Sequence, residues 1–149
     1  VTDLAEIPAK FGVSNVYAEL GTCFANTSIT HPRLAAAMLG TLIKGLGSDK
    51  VIWGTDSVWY GSPQWQIEAL RRLEVPDDLQ KKYGYAPLGA ADGPVKTAIF
   101  SGNAARMYKV DVAAAVGAIS MDQISTVKAA YRELNEGRSN LRYGYVARA

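Results

Sequence analysis

The order of apolar and polar segments in the first part of the chain predicts a strand, a helix and a second strand. Residues 16–20 are rich in β-forming side chains and stand between turn-forming residues, which favours a strand of about five residues. Apolar side chains then recur on one face between Pro32 and Gly47, at the spacing of an amphipathic helix. The apolar run 51–55 ends abruptly at Asp56, as a buried strand does. Together these segments predict one βαβ unit.

The predicted crossover brings two acidic residues to the same edge of the sheet. Parallel strands joined through a helix cross over right-handedly in nearly all cases, so their carboxyl ends lie side by side. Glu19 lies near the carboxyl end of the first strand, and Asp56 follows the second. Open α/β sheets and (β/α)8 barrels collect their chemistry at this edge. Asp56 is therefore a candidate ligand or proton acceptor, and its alternative role is to cap the following turn or helix.

Further helical patterns lie on both sides of this unit. Helix-starting and helix-ending signals predict helices over 3–11, 62–72, 76–83, 94–100, 103–108 and 120–136. Three stretches lack such signals. Residues 22–30 are predicted to be irregular, 57–61 to form a loop and 113–117 to form a hinge-like connection. Ser120 and Gln123 form a capping box, and Asn103 is a candidate cap. The α/β pattern then gives way to a helical tail, so we predict one domain over 1–110 with an extension over 111–149.

Composition is that of a soluble globular domain and indicates no macromolecular partner. Of the 149 residues, 48% are hydrophobic and 20% are charged. The 16 basic and 14 acidic residues leave a formal net charge of +2, too small for the broad positive field of nucleic-acid-binding proteins. A single cysteine, no leader pattern and apolar runs shorter than the ~20 residues of a membrane span favour a cytoplasmic location. We therefore expect no nucleic acid and no membrane as partners. The helix at 120–136 either self-associates into a homo-oligomer or docks on its own chain.

The residue types available for chemistry limit the kind of site that this chain can build alone. His31 is the only histidine and Cys23 the only cysteine, which excludes a site with several imidazoles and a thiolate zinc cluster. Any metal must therefore take ligands from elsewhere. His31 precedes a proline, which is more typical of a helix cap than of a catalytic base, but its place near the same edge keeps it a candidate for substrate binding. Trp59 and Tyr60, on the loop after Asp56, are the better candidates for the wall of a pocket.

Four short motifs occur in a fixed order along the chain. They are Asn15-Val-Tyr-Ala-Glu-Leu-Gly, Thr30-His-Pro, Val51-Ile-Trp-Gly-Thr-Asp-Ser and Gly102-Asn-Ala-Ala-Arg-Met-Tyr. Together they resemble the amidohydrolase-related family, which also contains metal-dependent decarboxylases, and the resemblance covers about residues 1–110. Members of that family are (β/α)8 barrels. The resemblance implies an α/β fold that is the C-terminal part of a TIM-like barrel with a C-terminal helical extension, in which 15–20 match the seventh strand and 51–55 the eighth.

The resemblance also implies a metal-dependent hydrolase. In the family, the acid after the eighth strand sits beside or ligates a divalent metal, commonly zinc, and handles the proton of the metal-bound water. Asp56 takes that place here. The implied reaction is hydrolysis of a C–N or C–O bond of a small-molecule substrate. Trp59 and Tyr60 would wall the pocket, and His31 is a candidate for substrate binding. Glu19 would either hydrogen-bond the substrate or hold a loop. Two alternatives stay open: a decarboxylase on the same barrel, and a non-catalytic scaffold or binding fragment.

The family's other metal ligands have no counterpart in this sequence. Its paired histidines on the first strand and its further histidines on the fifth and sixth strands are missing, which leaves Asp56 as one ligand of the set. A complete barrel has roughly 250 residues.

We therefore expect the isolated 149-residue chain to be the carboxyl-terminal part of such an enzyme, to bind no catalytic metal and to have no turnover. Metal analysis of the purified chain checks this expectation, and a tightly bound stoichiometric zinc would contradict it.

Overall fold

The structure contains the predicted βαβ unit, which consists of two parallel strands and the helix that connects them. The computed structural model describes residues 1–119 and 122–134. These residues are mainly helical. Strands β1 (Ala18–Glu19) and β2 (Val51–Ile52) pair in parallel, with Ala18 opposite Val51, and the chain passes between them through helix α3 (Pro32–Leu46).

Both strands are shorter than the sequence predicts. The predicted limits are 16–20 and 51–55, whereas only two residues of each strand belong to the ladder. Just beyond the ladder, the backbone N–H of Trp53 donates to the carbonyl of Ile99 at 3.1 Å. Ile99 lies in a helical turn and not in a strand. β-propensity locates both strands, but how far pairing extends depends on tertiary neighbours.

Helix α3 forms the centre of the hydrophobic core. Pro32 stands in its first turn and Gly47 follows its last residue, as the sequence predicts. Leu34, which shares the predicted apolar face, is exposed. The side chains of this core come from residues 18–24, from α3, from β2 and from residues 70–99. They are Ala18, Leu20, Phe24, Ala35, Ala36, Met38, Leu39, Leu42, Val51, Leu70, Leu73, Val75, Leu79, Leu88 and Ile99.

Helix α1 (Thr2–Phe11) crosses α3 at close range. A Cβ on Gly45 would lie 2.3 Å from the carbonyl oxygen of Ala5, so the approach of the two backbones requires glycine there. Gly12, with a φ of 65°, ends α1 in the left-handed conformation that the sequence predicts.

Three helices follow β2: α4 (Ser57–Tyr60), α5 (Pro63–Arg72) and α6 (Asp77–Tyr83). The predicted ends of the last two are confirmed. Ser62 caps α5 by accepting a hydrogen bond from Gln64 N–H at 3.2 Å. Gly84 ends α6 with a φ of 67°.

Two segments predicted to lack regular structure are helical. The stretch 22–30 contains most of α2 (Gly21–Thr27), and the predicted loop 57–61 contains α4. In α2 the polar side chains of Thr22 and Asn26 are exposed while Phe24 is fully buried. A helix anchored by so few apolar residues gives no periodic signal, which is why composition alone indicates a loop.

A continuous helical stretch closes the region around the strands. Helix α7 (Pro94–Thr97), a π-helical turn (Ala98–Gly102) and α8 (Asn103–Met107) follow one another without the break that Gly102 predicts.

Asn103, the candidate cap, is a buried residue whose side-chain amide bonds to the segment around the start of β2. Its side chain is fully buried, and its Nδ2 donates to the carbonyls of Ser48 at 2.8 Å and Val51 at 2.7 Å. These two carbonyls flank the start of β2. The side-chain amide therefore fastens the closing helix to the strand that leads to Asp56.

The chain divides into two compact units, Val1–Ala104 and Ala105–Ala149. In the second unit, the stretch predicted to be hinge-like lies within helix α9 (Val112–Ile119), because its alanines favour a helix. Helix α10 (Gln123–Glu133) is capped by Asp122, which accepts from Ser125 N–H at 2.7 Å. The predicted cap Ser120 and the end of the predicted helix at 136 lie outside the described residues. No helix in the described ranges is long and apolar enough to cross a membrane.

Two exposed ion pairs join elements that the core already packs. Arg33 of α3 donates to both carboxylate oxygens of Asp78 in α6, and Arg71 of α5 donates to Asp92 at 2.7 Å. Hydrogen bonding from each guanidinium holds the pKa of Asp78 and the pKa of Asp92 below the usual aspartate range. Because solvent screens both pairs, they add little to stability.

We expect Asn103→Asp to lower the free energy of unfolding by about 2–4 kcal/mol. A carboxylate of the same shape cannot donate to the two carbonyls, and it adds a buried charge. Ser101→Ala, an exposed change in the same helical stretch, is the control and should stay within about 0.5 kcal/mol of wild type. Chemical denaturation measures both, and an N103D chain as stable as wild type would show that the tie contributes nothing.

Candidate functional site

Two carboxylates meet at the carboxyl edge of the strand pair. Glu19 ends β1, and Asp56 lies shortly after β2. Oε2 of Glu19 and Oδ2 of Asp56 both lie within 2.9 Å of the position that a Cβ of Gly21 would occupy. The structure therefore brings together the two acids that the parallel crossover predicts at one edge. Their chemical roles stay predictions.

Gly21 and Gly54 provide the space into which the carboxylates fit. A Cβ on Gly54 would lie 1.1 Å from Oε1 of Glu19, so this side chain rests against bare backbone. Gly21 has a φ of 26°, and a Cβ there would meet Oε2 of Glu19 at 2.6 Å. Any larger residue at either position would displace a carboxylate.

The Asp56 carboxylate is held both by its own backbone and by a neighbour on α2. Asp56 has a φ of 46°, in the left-handed region that few residues other than glycine adopt. Its Oδ2 accepts a hydrogen bond from Thr22 Oγ1 at 2.6 Å. On the other side, the buried Gln66 donates from Nε2 to the carbonyl of Thr55 at 2.7 Å, which fixes the residue before Asp56. Backbone strain of this kind is concentrated at functional sites.

The aromatic residues that follow Asp56 differ in exposure. Trp59 and Tyr60 lie on α4, and the backbone N–H of each donates to the backbone carbonyl of Asp56. Trp59 is 77% exposed and Tyr60 is partly buried, whereas Trp53 packs against the core. Trp59 and Tyr60 thus lie in the turn of helix directly after Asp56, and Trp59 has apolar surface exposed to solvent.

His31 lies at the start of α3, on a part of the surface that borders a cavity reaching Thr22. It holds the cap position of α3 without a side-chain cap bond, and its Nδ1 lies 2.9 Å from Oγ1 of Thr30. It lines an open cavity of about 430 Å³ whose wall includes Leu34 and Ala37. The same two residues line a second cavity, of about 380 Å³, that reaches Thr22. His31 therefore adjoins the surface that leads to Thr22.

The residues that build this site match a known protein family. Residues 3–110 fit the family described as amidohydrolase. The chain belongs to the amidohydrolase family. This confirms the resemblance inferred from the four sequence motifs. A search of curated proteins and a search of solved structures each gave no significant match.

Amidohydrolases generally use divalent metals, and a protein zinc site takes at least three side-chain ligands. The described ranges contain no group of three or more histidine, cysteine, aspartate or glutamate side chains that could hold one. Glu19 and Asp56 supply two carboxylates, and His31 lines a cavity whose walls include neither of them. These residues by themselves do not fit a complete metal centre, and Asp56 as a metal ligand stays a prediction.

The sequence indicates the two acids at this edge of the strand pair but not the residues that hold them. Thr22 lies in a stretch predicted to be irregular, and Gln66 carries no local signal. Their hydrogen bonds join positions 34 and 11 apart in the chain. The two glycines do carry a signal, because glycine at the end of a strand often marks a close approach of side chain to backbone. Gly21 and Gly54 both stand at such ends.

We expect Gly54→Ala to displace the Glu19 carboxylate while changing the free energy of unfolding by less than ~1 kcal/mol. The new Cβ would take the place of Oε1, and the flexible glutamate side chain can turn away into solvent. A crystal structure of the variant locates the carboxylate, and chemical denaturation measures the stability. Adding Gly54→Ala to a Glu19→Ala chain is the matched control, because no oxygen then remains to be displaced. If the Glu19 oxygens keep their position in the G54A chain, the role given to Gly54 is wrong.

Proposed function

We propose that this chain supplies part of the active site of an amidohydrolase-family hydrolase that breaks a C–N or C–O bond of a small substrate. In this proposal, the Asp56 carboxylate takes a proton from water as the water oxygen bonds to the substrate carbonyl carbon. The proton is then given to the leaving nitrogen or oxygen as its bond to carbon breaks. Water and substrate account for all atoms of the products.

The position of Asp56 carries this proposal. Its carboxylate stands at the carboxyl edge of a parallel strand pair, partly buried, in a left-handed turn and hydrogen-bonded to Thr22. Barrel enzymes place their catalytic groups at this edge. A carboxylate held in one orientation and within reach of solvent suits a group that exchanges protons with water.

We further propose that residues 1–110 are the carboxyl-terminal part of a (β/α)8 barrel, with β1 and β2 as its seventh and eighth strands. The parallel pairing, the crossover through α3 and the family match over 3–110 support this assignment. Two strands cannot enclose a barrel. The remaining strands of the barrel and the metal ligands would therefore come from other residues.

The side chains around Asp56 are assigned to the substrate. Trp59 and Tyr60 would wall the pocket with aromatic surface. Glu19 would accept a hydrogen bond from the substrate, since its carboxylate faces the same point as Asp56. His31 would contact a part of the substrate that reaches the open cavity that His31 lines.

Asp56→Asn tests the proposal. In the complete enzyme we expect this change to lower kcat/KM by about 10²- to 10⁴-fold, which is the usual contribution of a general acid–base group. Asparagine keeps the shape of aspartate but cannot take the proton. The assay follows hydrolysis of an ester probe, p-nitrophenyl acetate, and of an anilide probe, p-nitroacetanilide.

Asp77→Asn is the matched control, since Asp77 is an exposed aspartate in the first turn of α6. It should keep wild-type activity. An Asp56→Asn enzyme with activity near that of wild type would overturn the catalytic assignment. A wild-type enzyme that hydrolyses neither probe but releases carbon dioxide from a carboxylated substrate would replace hydrolysis by decarboxylation on the same fold.

A further inference from the structure

The Thr22 hydroxyl makes a contact outside its own helix. Thr27, later in α2, donates back to the carbonyl of Cys23 at 2.7 Å, as threonines in helices commonly do. Thr22 stands in the first turn of α2 and donates instead to Oδ2 of Asp56, across the gap between the two strand ends, at 2.6 Å. A hydroxyl-to-carboxylate bond of this length is of the strong, charge-assisted kind. The contact joins the segment after β1 to the segment after β2.

The Thr22 hydroxyl fixes the Asp56 carboxylate from a segment of the fold other than the one that carries Asp56. Its own turn leads into α4, a helix of only four residues. Helix α2, by contrast, is fixed in the core by Phe24, which is fully buried. Thr22 therefore connects a carboxylate on a short turn to a rigid part of the fold.

We propose that Thr22 is a positioning residue for Asp56, an inference that rests on the proposed function. By engaging Oδ2, the Thr22 hydroxyl holds the carboxylate in one orientation and leaves proton transfer to Oδ1. Thr22 acts only through Asp56. Substrate binding should therefore be nearly independent of Thr22, while turnover depends on it.

The test combines Thr22→Val and Thr22→Ser with Asp56→Asn in the complete enzyme. Valine keeps the shape of threonine without the hydroxyl, so we expect kcat for the ester and anilide probes to fall roughly tenfold with KM changed by less than about twofold. Serine keeps the hydroxyl and should restore kcat to within about threefold of wild type. In the Asp56→Asn enzyme, Thr22→Val should cause no further loss, because the group it positions no longer transfers protons. Thr27→Val, on the same helix, is the control and should leave kcat unchanged.

A second readout does not depend on turnover. In crystal structures of the 149-residue chain, the Asp56 carboxylate should leave its position in the T22V variant and keep it in the T22S variant. An unmoved carboxylate in T22V would overturn the inference whatever the activity. If Asp56→Asn keeps activity, the proposed function itself fails. If Asp56→Asn inactivates the enzyme while Thr22→Val does not, or if the two losses multiply, the role of Thr22 alone is wrong.

Discussion

The parallel register of β1 and β2 decides where every polar group of the site lies. Because Glu19 is opposite Ile52, the segments that leave the two strands start side by side. The parallel direction of the two strands then keeps both exits on the same edge. A shift of one residue in either strand would turn Glu19 to the opposite face, since side chains alternate along a strand. The hydrophobic core that holds this register is therefore as important to the site as the carboxylates themselves.

Aromatic packing beneath the edge gives the site its rigid base. The ring of Trp53, at the exit of β2, packs against Phe24 of α2 and Phe100 of the π-helical turn, with centroid distances of 5.8 Å and 4.8 Å. Three separate segments are thus joined next to the end of β2. Asn103 fastens the same closing stretch to the start of β2 through two buried hydrogen bonds. Apolar packing sets the distance between these segments, and directed polar bonds set their register.

The sequence predicts the parts of this architecture that depend on local periodicity and chain direction. The helix from Pro32, the end at Gly84 and the shared edge of Glu19 and Asp56 are all of this kind, and all are found. The sequence does not predict contacts between distant positions. Thr22 and Asn103 have polar side chains that suit loops and caps equally well, and only the packed fold shows which partner each one reaches. The predicted lengths of the two strands are wrong for the same reason, because strand pairing depends on residues that are far away in the chain.

The charge of the site indicates what the described residues contribute to a hydrolase and what they leave to others. Hydrolysis of an amide or ester builds negative charge on the carbonyl oxygen, which an enzyme must stabilise with hydrogen-bond donors or positive charge. Glu19 and Asp56 are acceptors when ionised, and Thr22 directs its hydroxyl to Asp56. These residues can therefore move a proton, but they oppose the growing oxyanion. The electrophilic half of the proposed site has to come from other residues or a metal, which agrees with a barrel of which β1 and β2 are two adjoining strands.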